Sequence, residues 1–422
     1  MKKYDVLIVG GGPAGLFSAI SCANFGLSVA ILEKNKSFGR KLLIAGAGKC
    51  NLTQDKPIGE FVYHYGTSSN FVKPCLYAFS NDKFRKFLHE NKLSTVSVEN
   101  GKVFPQSMKA IDVLNVFENV CCEKNVDMLT QMDVKRIAKI DDFFEIVTGN
   151  STFYSKHVVI STGGASFPQT GSTGDGYTFA KNFGHKIRPT KFALAPLYIK
   201  NFELAEFSGL SFENLCFTHW RDKKTDNRFS EKRGSFSKVG TYEGDVLITH
   251  RGISGPGVMD HSRYMVRNDI VKLNFLGSSV EDAQGALRLL LNSGGRKLVR
   301  TVVNELNIPK RLVDYFLKIA GVHDELKCAE LTKLMRSKLL SLLTEYEMEI
   351  KEVGNATNAM VTAGGVSLKE VNPKTMESRK VDGLYFAGEV LDVDGDTGGY
   401  NIQVAVSMGY IIGQSIGKKE KK

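Results

Sequence analysis

Residues 6–15 have the sequence Val-Leu-Ile-Val-Gly-Gly-Gly-Pro-Ala-Gly, and this stretch decides the fold class. Four aliphatic residues in a row are typical of a strand buried on both faces. The following residues match G-x-G-x-x-G through Gly10, Gly12 and Gly15. In that pattern the first glycine permits a tight turn, the second lets the backbone approach a pyrophosphate, and the third lets a helix pack closely on the strand. The stretch therefore predicts the opening of a dinucleotide-binding fold.

A helix and a second strand are expected directly after this turn. Pro13 stands at the first helical position, where a missing N–H costs nothing, and apolar residues recur at helical spacing as far as Ala23. Residues 29–32 form a second apolar strand that ends in Glu33. A carboxylate roughly 20 residues beyond the third glycine is placed to bind the ribose hydroxyls of an adenosine. The full context favours a nucleotide site over a plain glycine-rich turn.

The uncharged stretch at residues 6–32 also fits a signal peptide or a membrane anchor. Asp5 precedes it, glycines crowd its middle, and it divides into strand, helix and strand, so we expect no association with a membrane. Seven cysteines without a C-x-x-C pair favour a reducing compartment, and we predict a cytoplasmic protein. The eight histidines form no H-x-H or H-E-x-x-H cluster, so we expect no metal site.

The length and composition are those of a globular protein. A chain of 422 residues, 42% hydrophobic and 24% charged, is long enough for two or three domains with a large core. The formal net charge of +11 would suit a nucleic acid or an anionic cofactor. The charges form no dense block, so a lysine-rich surface without a nucleic-acid partner is the favoured interpretation. Residues 418–422 are interpreted as a solvated tail.

Two further segments favour FAD over NAD as the nucleotide. Residues 158–161 predict a strand that leads into the turn Thr162-Gly163-Gly164. Residues 383–389 predict another strand and turn, and the glycine-rich residues 397–401 then feed an apolar helix at 402–412. A helix N-terminus presents free N–H groups and the positive end of a dipole, which would stabilise the negative charge of a reduced flavin. Core packing explains the apolar face of that helix equally well, and the two roles are compatible.

Several segments together carry a resemblance to a known family. They are residues 10–15, 39–41, 46–53, 101–105, 161–164, 171–176, 249–256, 361–366 and 383–403. Over nearly the whole chain they resemble the bacterial FAD flavoproteins that include 3-dehydro-bile-acid Δ4,6-reductase and aminoacetone oxidase. The resemblance implies an FAD-dependent oxidoreductase, and it leaves the substrate open because that family covers different chemistries.

The resemblance also implies roles for particular residues. Glu33 is expected at the adenosine ribose, Val134 beside the adenine, and residues 40, 41 and 51 along the cofactor cleft. Asp392 and residues 401–403 are expected beside the ribityl chain and the isoalloxazine. The complete set predicted to bind the cofactor is Gly10, Gly12, Pro13, Ala14, Gly15, Glu33, Lys34, Arg40, Lys41, Gly48, Cys50, Asn51, Val134, Thr162, Gly163, Gly164, Gly388, Asp392, Asn401, Ile402 and Gln403.

The chain departs from the family pattern at two positions of one loop. The family usually has arginine where this chain has Lys49, and asparagine where it has Gln54. A lysine cannot make the bidentate contact of a guanidinium, so anion binding at this loop is in doubt.

The predicted fold class is α/β, with a Rossmann-like FAD-binding domain of the glutathione-reductase type. Residues 1–190 and 355–422 are expected to form this domain, with a small antiparallel excursion between residues 126 and 160. Residues 191–354 are expected to form an inserted domain that begins β-rich, turns helical after about residue 280, and closes a substrate pocket. The oligomeric state is left open.

Three residues are candidates for the chemistry. His250 follows a β-rich run and precedes a glycine-rich turn, and Tyr400 lies in the turn expected beside the flavin, so either could act as an acid or base. A structural hydrogen bond is the alternative for His250, and a lid is an alternative for Tyr400. Cys50 has no partner at C-x-x-x-x-C spacing, which favours packing over a redox thiol.

The source of electrons and the substrate stay open between several alternatives. A single dinucleotide fingerprint predicts that NAD(P)H, if it is the donor, docks only transiently; oxygen as an acceptor is the other possibility. The first hypothesis is an oxidoreductase of a small organic molecule, either an ene-type reductase or an amine oxidase. An FAD-dependent RNA-modifying enzyme is the second, because such enzymes share the opening fold and the chain is basic. A non-enzymatic flavin sensor is the third.

Overall fold

A computed structural model describes residues 2–223, 236–277 and 279–421 of the chain. In chain order its strands are β1 (Lys2–Val9), β2 (Val29–Leu32), β3 (Thr53–Gln54), β4 (Thr95–Ser97), β5 (Lys102–Pro105), β6 (Asp127–Leu129), β7 (Val134–Ile140), β8 (Phe143–Thr148), β9 (Thr152–Ile160), β10 (Ile187–Ala193), β11 (Leu197–Ile199), β12 (Ser211–Asp222), β13 (Phe236–Ile248), β14 (Gly252–Ser254), β15 (Ile270–Asn274), β16 (Tyr346–Val353), β17 (Val361–Val366) and β18 (Leu384–Phe386).

The α-helices are α1 (Pro13–Ala23), α2 (Arg40–Ile44), α3 (Ile58–Phe61), α4 (Ser69–Ala78), α5 (Asn81–Glu90), α6 (Ala110–Glu123), α7 (Asp175–Asn182), α8 (Pro256–Ser262), α9 (Val280–Ser293), α10 (Val299–Val303), α11 (Lys310–Ala320), α12 (Lys333–Thr344) and α13 (Tyr400–Glu420). Short 3₁₀ helices include Val62–Ser68 and Gly388–Val390. None of the helices in the described ranges is long and apolar enough to cross a membrane.

The chain divides into two compact units, and one is inserted in the sequence of the other. The first unit comprises Met1–Ala193 and Asn355–Lys422, and the second comprises Leu194–Gly354. The unit boundaries thus follow residues 193 and 354, whereas the predicted boundaries followed residues 190 and 354. Each unit has its own hydrophobic core.

The first unit is built around a seven-stranded sheet in the order β6-β2-β1-β9-β8-β7, with β18 also paired to β9. Strands β6, β2, β1, β9 and β18 run parallel, as a strand–helix–strand repeat requires. The first half of β9 pairs antiparallel with β8, and β7 continues that antiparallel hairpin. The predicted excursion between residues 126 and 160 is therefore this edge of the sheet.

Close packing at glycines fixes the helices that cover the sheet. A Cβ on Gly15 of α1 would lie 2.0 Å from the carbonyl oxygen of Gly10, and one on Gly10 would lie 2.5 Å from that of Ser161. On α13, Cβ atoms at Gly409 and Gly413 would come within 2.7 Å and 2.3 Å of α1 atoms. These glycines bring α1 against both β1 and α13, so the turn after β1 and the start of α13 belong to one packed layer.

The predicted solvated tail is the last turn of a helix in the described part, residues 418–421, although its lysines are exposed as expected. Helix α13 continues to Glu420, whose carboxylate lies 2.7 Å from Nζ of Lys156 and 3.0 Å from Nε2 of His157. Lys419 forms ion pairs with Glu377 and Asp382. The lysine-rich composition of this segment gave no sign of these ion pairs, because the partner residues lie far away in the sequence, on other strands and loops.

The second unit contains a closed barrel with the strand order β11-β14-β13-β12-β15-β16. Helices α9 to α12 lie between β15 and β16 in the sequence. The predicted change from strands to helices near residue 280 corresponds to α9 at Val280–Ser293. Strand β16 was missed, although it returns the chain to the barrel and pairs with both β11 and β15.

Candidate active site

The glycine turn leaves an open space at the N-terminus of α1. Gly12 is the residue before the helix, with φ −84°, and a Cβ placed on it would meet no described atom within 4 Å. Its neighbours Gly10 and Gly15 are tightly packed, so the space is specific to Gly12. The N–H groups of the first helical turn lack partners within the helix and carry the positive end of its dipole. Gly12 therefore lies where an anionic pyrophosphate can approach the backbone.

The Glu33 carboxylate lies at the end of β2 and is only 8% exposed. Its Oε2 accepts from the N–H of Gly11 at 2.8 Å, and its Oε1 accepts from the N–H and side-chain amide of Asn35 at 2.9 Å and 2.6 Å. These bonds tie the carboxylate to the glycine turn. Oε2 keeps a further lone pair, so the carboxylate can still accept from a ribose hydroxyl.

Two of the predicted cationic residues are engaged with protein groups beside Glu33. Nζ of Lys34 lies 2.6 Å from both Oγ1 of Thr173 and Oδ2 of Asp175, which begins α7. The exposed Arg40, at the start of α2, donates to Oδ1 of Asn35 at 2.8 Å. Both side chains thus order the loop around the end of β2.

Lys41 lies in a buried polar network that sequence reasoning missed. Its Nζ lies 2.6 Å from Oε2 of Glu389 and donates to Oγ of Ser166 at 2.6 Å. Oε1 of Glu389 accepts from Ser166 Oγ at 3.0 Å and from the N–H of Thr362 at 2.8 Å. The network connects α2 with the loops that follow β9 and β18 and with β17, so Lys41 is a structural cation here.

The turn after β9 carries an unsatisfied hydroxyl. Oγ1 of Thr162 is buried and makes no hydrogen bond to a described residue. Gly163 has φ +75°, and a Cβ on Gly164 would lie 2.5 Å from Oγ1 of Thr362. Buried polar atoms in native proteins are almost always bonded, so the Thr162 hydroxyl is available to a ligand.

The segment before β3 carries a second unsatisfied group. Oδ1 of Asn51 is buried and accepts no hydrogen bond from a described residue. A Cβ on Gly399 would lie 3.0 Å from this atom, so Asn51 lies against the turn that begins α13. Gly48, in the same segment, has a φ of +83°. Burial raises the pKa of the Cys50 thiol to about 12, so the thiol stays protonated.

The loop after β18 lies beside the glycine turn. A Cβ on Gly388, which has φ +76°, would lie 3.1 Å from Cβ of Ala14. Farther along this loop, desolvation raises the pKa of the half-buried Asp392 against the lowering effect of Arg188. The end of β18 and the start of α1, which includes Pro13, therefore meet at one place.

The start of α13 is held by its own side chains. The side-chain amide of Asn401 donates to the carbonyl of Gly395 at 2.9 Å, and its Oδ1 accepts from the N–H of Gly395 at 2.8 Å. Ile402 is half-buried against the core. Gln403 is fully buried and donates to the carbonyl of Phe79 at 3.0 Å. The side chains of Asn401 and Gln403 thus hold the start of α13, while Oε1 of Gln403 is buried and accepts no hydrogen bond from a described residue.

The two catalytic candidates differ in their surroundings. Tyr400 is the first residue of α13, and its ring is only 2% exposed and stacks on His64. Packing this tight does not fit a lid. His250 is exposed, in the turn between β13 and β14 of the second unit, whereas every other predicted site residue belongs to the first. Val134, the first residue of β7, is 7% exposed and packs in the core of the first unit.

These residues fit FAD. The open space at Gly12, the carboxylate of Glu33, the unbonded Thr162 hydroxyl and the unbonded Asn51 oxygen all lie in the first unit. Sequence reasoning missed Glu389, His64 and Asp396, because no motif marks them and only the folded chain brings them beside predicted residues. Among the described residues, no cluster of three or more His, Cys, Asp or Glu could hold a metal ion.

Comparison with known proteins identifies the family to which the chain is similar. The family model described as HI0933-like protein Rossmann domain matches residues 4–415. The chain is 29% identical to a ribosomal RNA dihydrouridine synthase of Haemophilus influenzae, covering 99% of this chain and 100% of that protein. It is 30% identical to a 3-dehydro-bile acid Δ(4,6)-reductase of Clostridium scindens, covering 98% of each chain.

A solved structure shows the same fold. The 3-ketosteroid Δ1-dehydrogenase of Sterolibacterium denitrificans aligns with a TM-score of 0.52 at 11% identity, covering 99% of this chain and 100% of that chain.

Proposed function

The chain belongs to the HI0933-like Rossmann-domain family and is an FAD-dependent oxidoreductase, and we propose that it reduces a carbon–carbon double bond conjugated to a carbonyl group in a small organic molecule. We propose NAD(P)H as the electron donor.

The observation that carries this proposal is the full-length similarity to two proteins whose names describe one type of chemistry. Dihydrouridine is uridine with the double bond of its base reduced, and that bond is conjugated to a carbonyl. A Δ(4,6)-reductase acting on a 3-dehydro bile acid reduces double bonds conjugated to a ketone. Both names therefore describe hydride addition to a polarised double bond.

The residues of this chain suit such a reaction. When bound, FAD supplies the hydride. Gly12 and the N-terminus of α1 would bind the pyrophosphate, Glu33 the adenosine ribose, and the hydroxyl of Thr162 and the amide oxygen of Asn51 would complete the polar contacts. The positive end of α13 would stabilise the negative charge of a reduced flavin, which would favour transfer of a hydride from NAD(P)H to the flavin.

The single dinucleotide-binding fingerprint supports transient docking of NAD(P)H. A second G-x-G-x-x-G unit between a strand and a helix would be expected for a dedicated nicotinamide domain. The glycine-rich residues 171–176 follow a 3₁₀ turn and lead into α7, so they do not form such a unit.

Anaerobic mixing of the FAD-loaded protein with NADH or NADPH tests the donor. We expect rapid loss of the flavin absorbance with one of the two, and its recovery on addition of a 3-oxo-4,6-diene bile acid or 2-cyclohexen-1-one. If neither nucleotide bleaches the flavin, the reductase proposal fails and an amine oxidase that uses oxygen becomes the better hypothesis.

An RNA substrate is the second candidate, because the net charge is +11 and a full-length relative is named for ribosomal RNA. The same reduced protein, mixed with a uridine-containing ribosomal RNA fragment, would then form dihydrouridine detectable by mass spectrometry. A basic RNA-binding surface also predicts strong weakening of binding as salt rises. Turnover of the RNA but of neither small probe would replace the first candidate with this one.

A further inference from the structure

A histidine and an aspartate that no motif identifies form a pair at the start of α13. Nδ1 of His64 lies 2.9 Å from Oδ2 of Asp396, and the N–H of Asp396 donates to the carbonyl of His64 at 3.0 Å. The imidazole also stacks on the ring of Tyr400, with 4.1 Å between centroids and 18° between planes. His64 is thus fixed by a carboxylate at one nitrogen and by an aromatic ring on one face.

The segment that carries His64 is attached to the loop that carries Asp396 at two further points. The hydroxyl of Tyr65 donates to the carbonyl of Tyr400 at 2.9 Å, and that of Ser68 donates to the carbonyl of Asp392 at 2.9 Å. A Cβ on Gly395 would lie 2.9 Å from the Tyr65 ring, so the Gly395 backbone packs directly against that side chain. These contacts form a frame of connected segments around the pair.

The second ring nitrogen of His64, Nε2, is not engaged by the segments of this frame. The carboxylate of Asp396 favours the tautomer with a proton on Nδ1. Nε2 forms no hydrogen bond with a described residue, and the side chain is 30% exposed. An oriented imidazole with one accessible nitrogen is the arrangement that general acid–base catalysis requires.

The imidazole of His64 also lies at the N-terminal end of α13, which carries the positive end of the helix dipole. Tyr400, on which it stacks, is the first residue of α13, and the preceding Gly399 lies against Asn51 and Thr53. The unbonded oxygen of Asn51 and the positive end of α13 are the features that suit the flavin ring. His64 is therefore beside the expected reaction centre, whereas Tyr400 is almost fully buried.

We infer that His64 is the catalytic acid of the proposed reduction and that Asp396 is its positioning residue; this inference rests on the proposed function. Reduction adds a hydride, with its electron pair, to one carbon of the double bond, and NAD(P)H is the ultimate source of that hydride. The π-electron pair then forms a C–H bond on the neighbouring carbon with the proton on Nε2 of His64. The neutral imidazole takes its next proton from water.

The groups that face the imidazole are compatible with this role. Asp396 supplies a negative charge that stabilises the imidazolium. Tyr65 stays neutral at physiological pH, since burial raises its pKa well above the ordinary value.

The test compares His64→Gln and Asp396→Asn with His89→Gln, which changes an exposed histidine at the end of α5. All three FAD-loaded proteins should keep their FAD content and their rate of flavin reduction by NAD(P)H. Reoxidation of the reduced flavin by 2-cyclohexen-1-one or the 3-oxo-4,6-diene bile acid should slow by about 100-fold in His64→Gln and by about 10-fold in Asp396→Asn. In D₂O, His64→Gln should also lose the facial selectivity of deuterium addition.

A proton NMR spectrum of the protein without substrate gives an independent measurement. The hydrogen-bonded Nδ1–H of His64 should give a low-field resonance that disappears in His64→Gln and Asp396→Asn and persists in His89→Gln. If His64→Gln does not retain FAD, the rate of flavin reoxidation in Asp396→Asn is the measurement that tests the inference.

Two results overturn the inference in distinguishable ways. If the unmodified protein reduces a probe and both variants do so at the same rate with the same facial selectivity, His64 is not the acid, while the proposed function stands. If the unmodified protein, with its flavin reduced by NAD(P)H, reduces neither probe, the proposed function fails and this inference fails with it.

Discussion

Nζ of Lys41 lies 2.6 Å from Oε2 of Glu389, and this ion pair joins α2 to the loop that follows β18. Both side chains are mostly buried, at 26% and 18% exposed. The carboxylate also accepts hydrogen bonds from the Ser166 hydroxyl and the Thr362 N–H. Three segments of the first unit therefore depend on one carboxylate.

Glu389→Ala should lower the free energy of unfolding by about 2 kcal/mol, because it leaves the Lys41 ammonium without its counter-charge and removes an acceptor of the Ser166 hydroxyl and the Thr362 N–H. Urea unfolding followed by far-ultraviolet circular dichroism measures the change. Glu90→Ala is the matched control: its pair with Lys86 is exposed on α5, and we expect a loss of only about 0.3 kcal/mol. Equal losses of unfolding free energy in the two variants would show that the buried network stabilises the fold no more than an exposed ion pair does.

Substitution of two glycines of the same turn should separate folding from cofactor binding. In Gly15→Ala the new methyl would lie 2.0 Å from the Gly10 carbonyl oxygen, so we expect a loss of stability of about 3 kcal/mol. In Gly12→Ala the methyl meets no described atom within 4 Å, so the loss should stay below about 1 kcal/mol. The methyl would instead occupy the pyrophosphate position, and FAD affinity should fall by at least about 10-fold. Fluorescence titration with FAD and urea unfolding measure both quantities; unchanged FAD affinity in Gly12→Ala would place the pyrophosphate elsewhere.

The acid sensitivity of the barrel should depend on Asp269. Burial raises the pKa of this carboxyl, but hydrogen bonds from Arg221 and His219 outweigh it, so the pKa lies below its ordinary value of 3.8. A pKa lowered in the folded state adds stability above about pH 4, and that stability is lost as the pH falls through the folded pKa.

Asp269→Asn should therefore cost about 2 kcal/mol at pH 7 and much less near pH 2. Trp220, the single tryptophan of the chain, lies in β12 beside Arg221, and its fluorescence reports unfolding of the barrel. Asp142→Asn, in an exposed turn, serves as the control and should change little at either pH. A cost for Asp269→Asn that is independent of pH would contradict this account.

Thiol reactivity should follow burial. Cys122 is exposed, whereas burial raises the pKa of the Cys50 thiol to about 12. Because the thiolate is the reactive species, iodoacetamide should label Cys122 first in the native protein and Cys50 only after unfolding. Peptide mass spectrometry measures the order. Rapid native labelling of Cys50 would restore the redox role that its burial argues against.

The sequence by itself determined the parts of the fold whose signals are local. A buried strand, the turn at Gly10, Gly12 and Gly15, and a helix that starts at Pro13 follow one another within residues 2–23, and each depends only on its neighbours along the chain. The strand-to-helix change near residue 280 is local in the same sense. The acidic residue after β2 was also found from spacing, and its bonds to the glycine turn agree with that position.

Only the tertiary structure decided how distant polar residues combine. His64 and Asp396 are separated by most of the chain, as are Lys41 and Glu389, and no periodic pattern marks either pair. The same applies to Glu420, which pairs with Lys156 and His157 although its lysine-rich surroundings predicted a solvated tail. Apolar periodicity is imposed by local backbone geometry, whereas a hydrogen-bonded pair depends on which loops the packed strands and helices bring together. For that reason the sequence could identify a nucleotide-binding fold, but the candidate acid His64 and its partner Asp396 were found only in the folded chain.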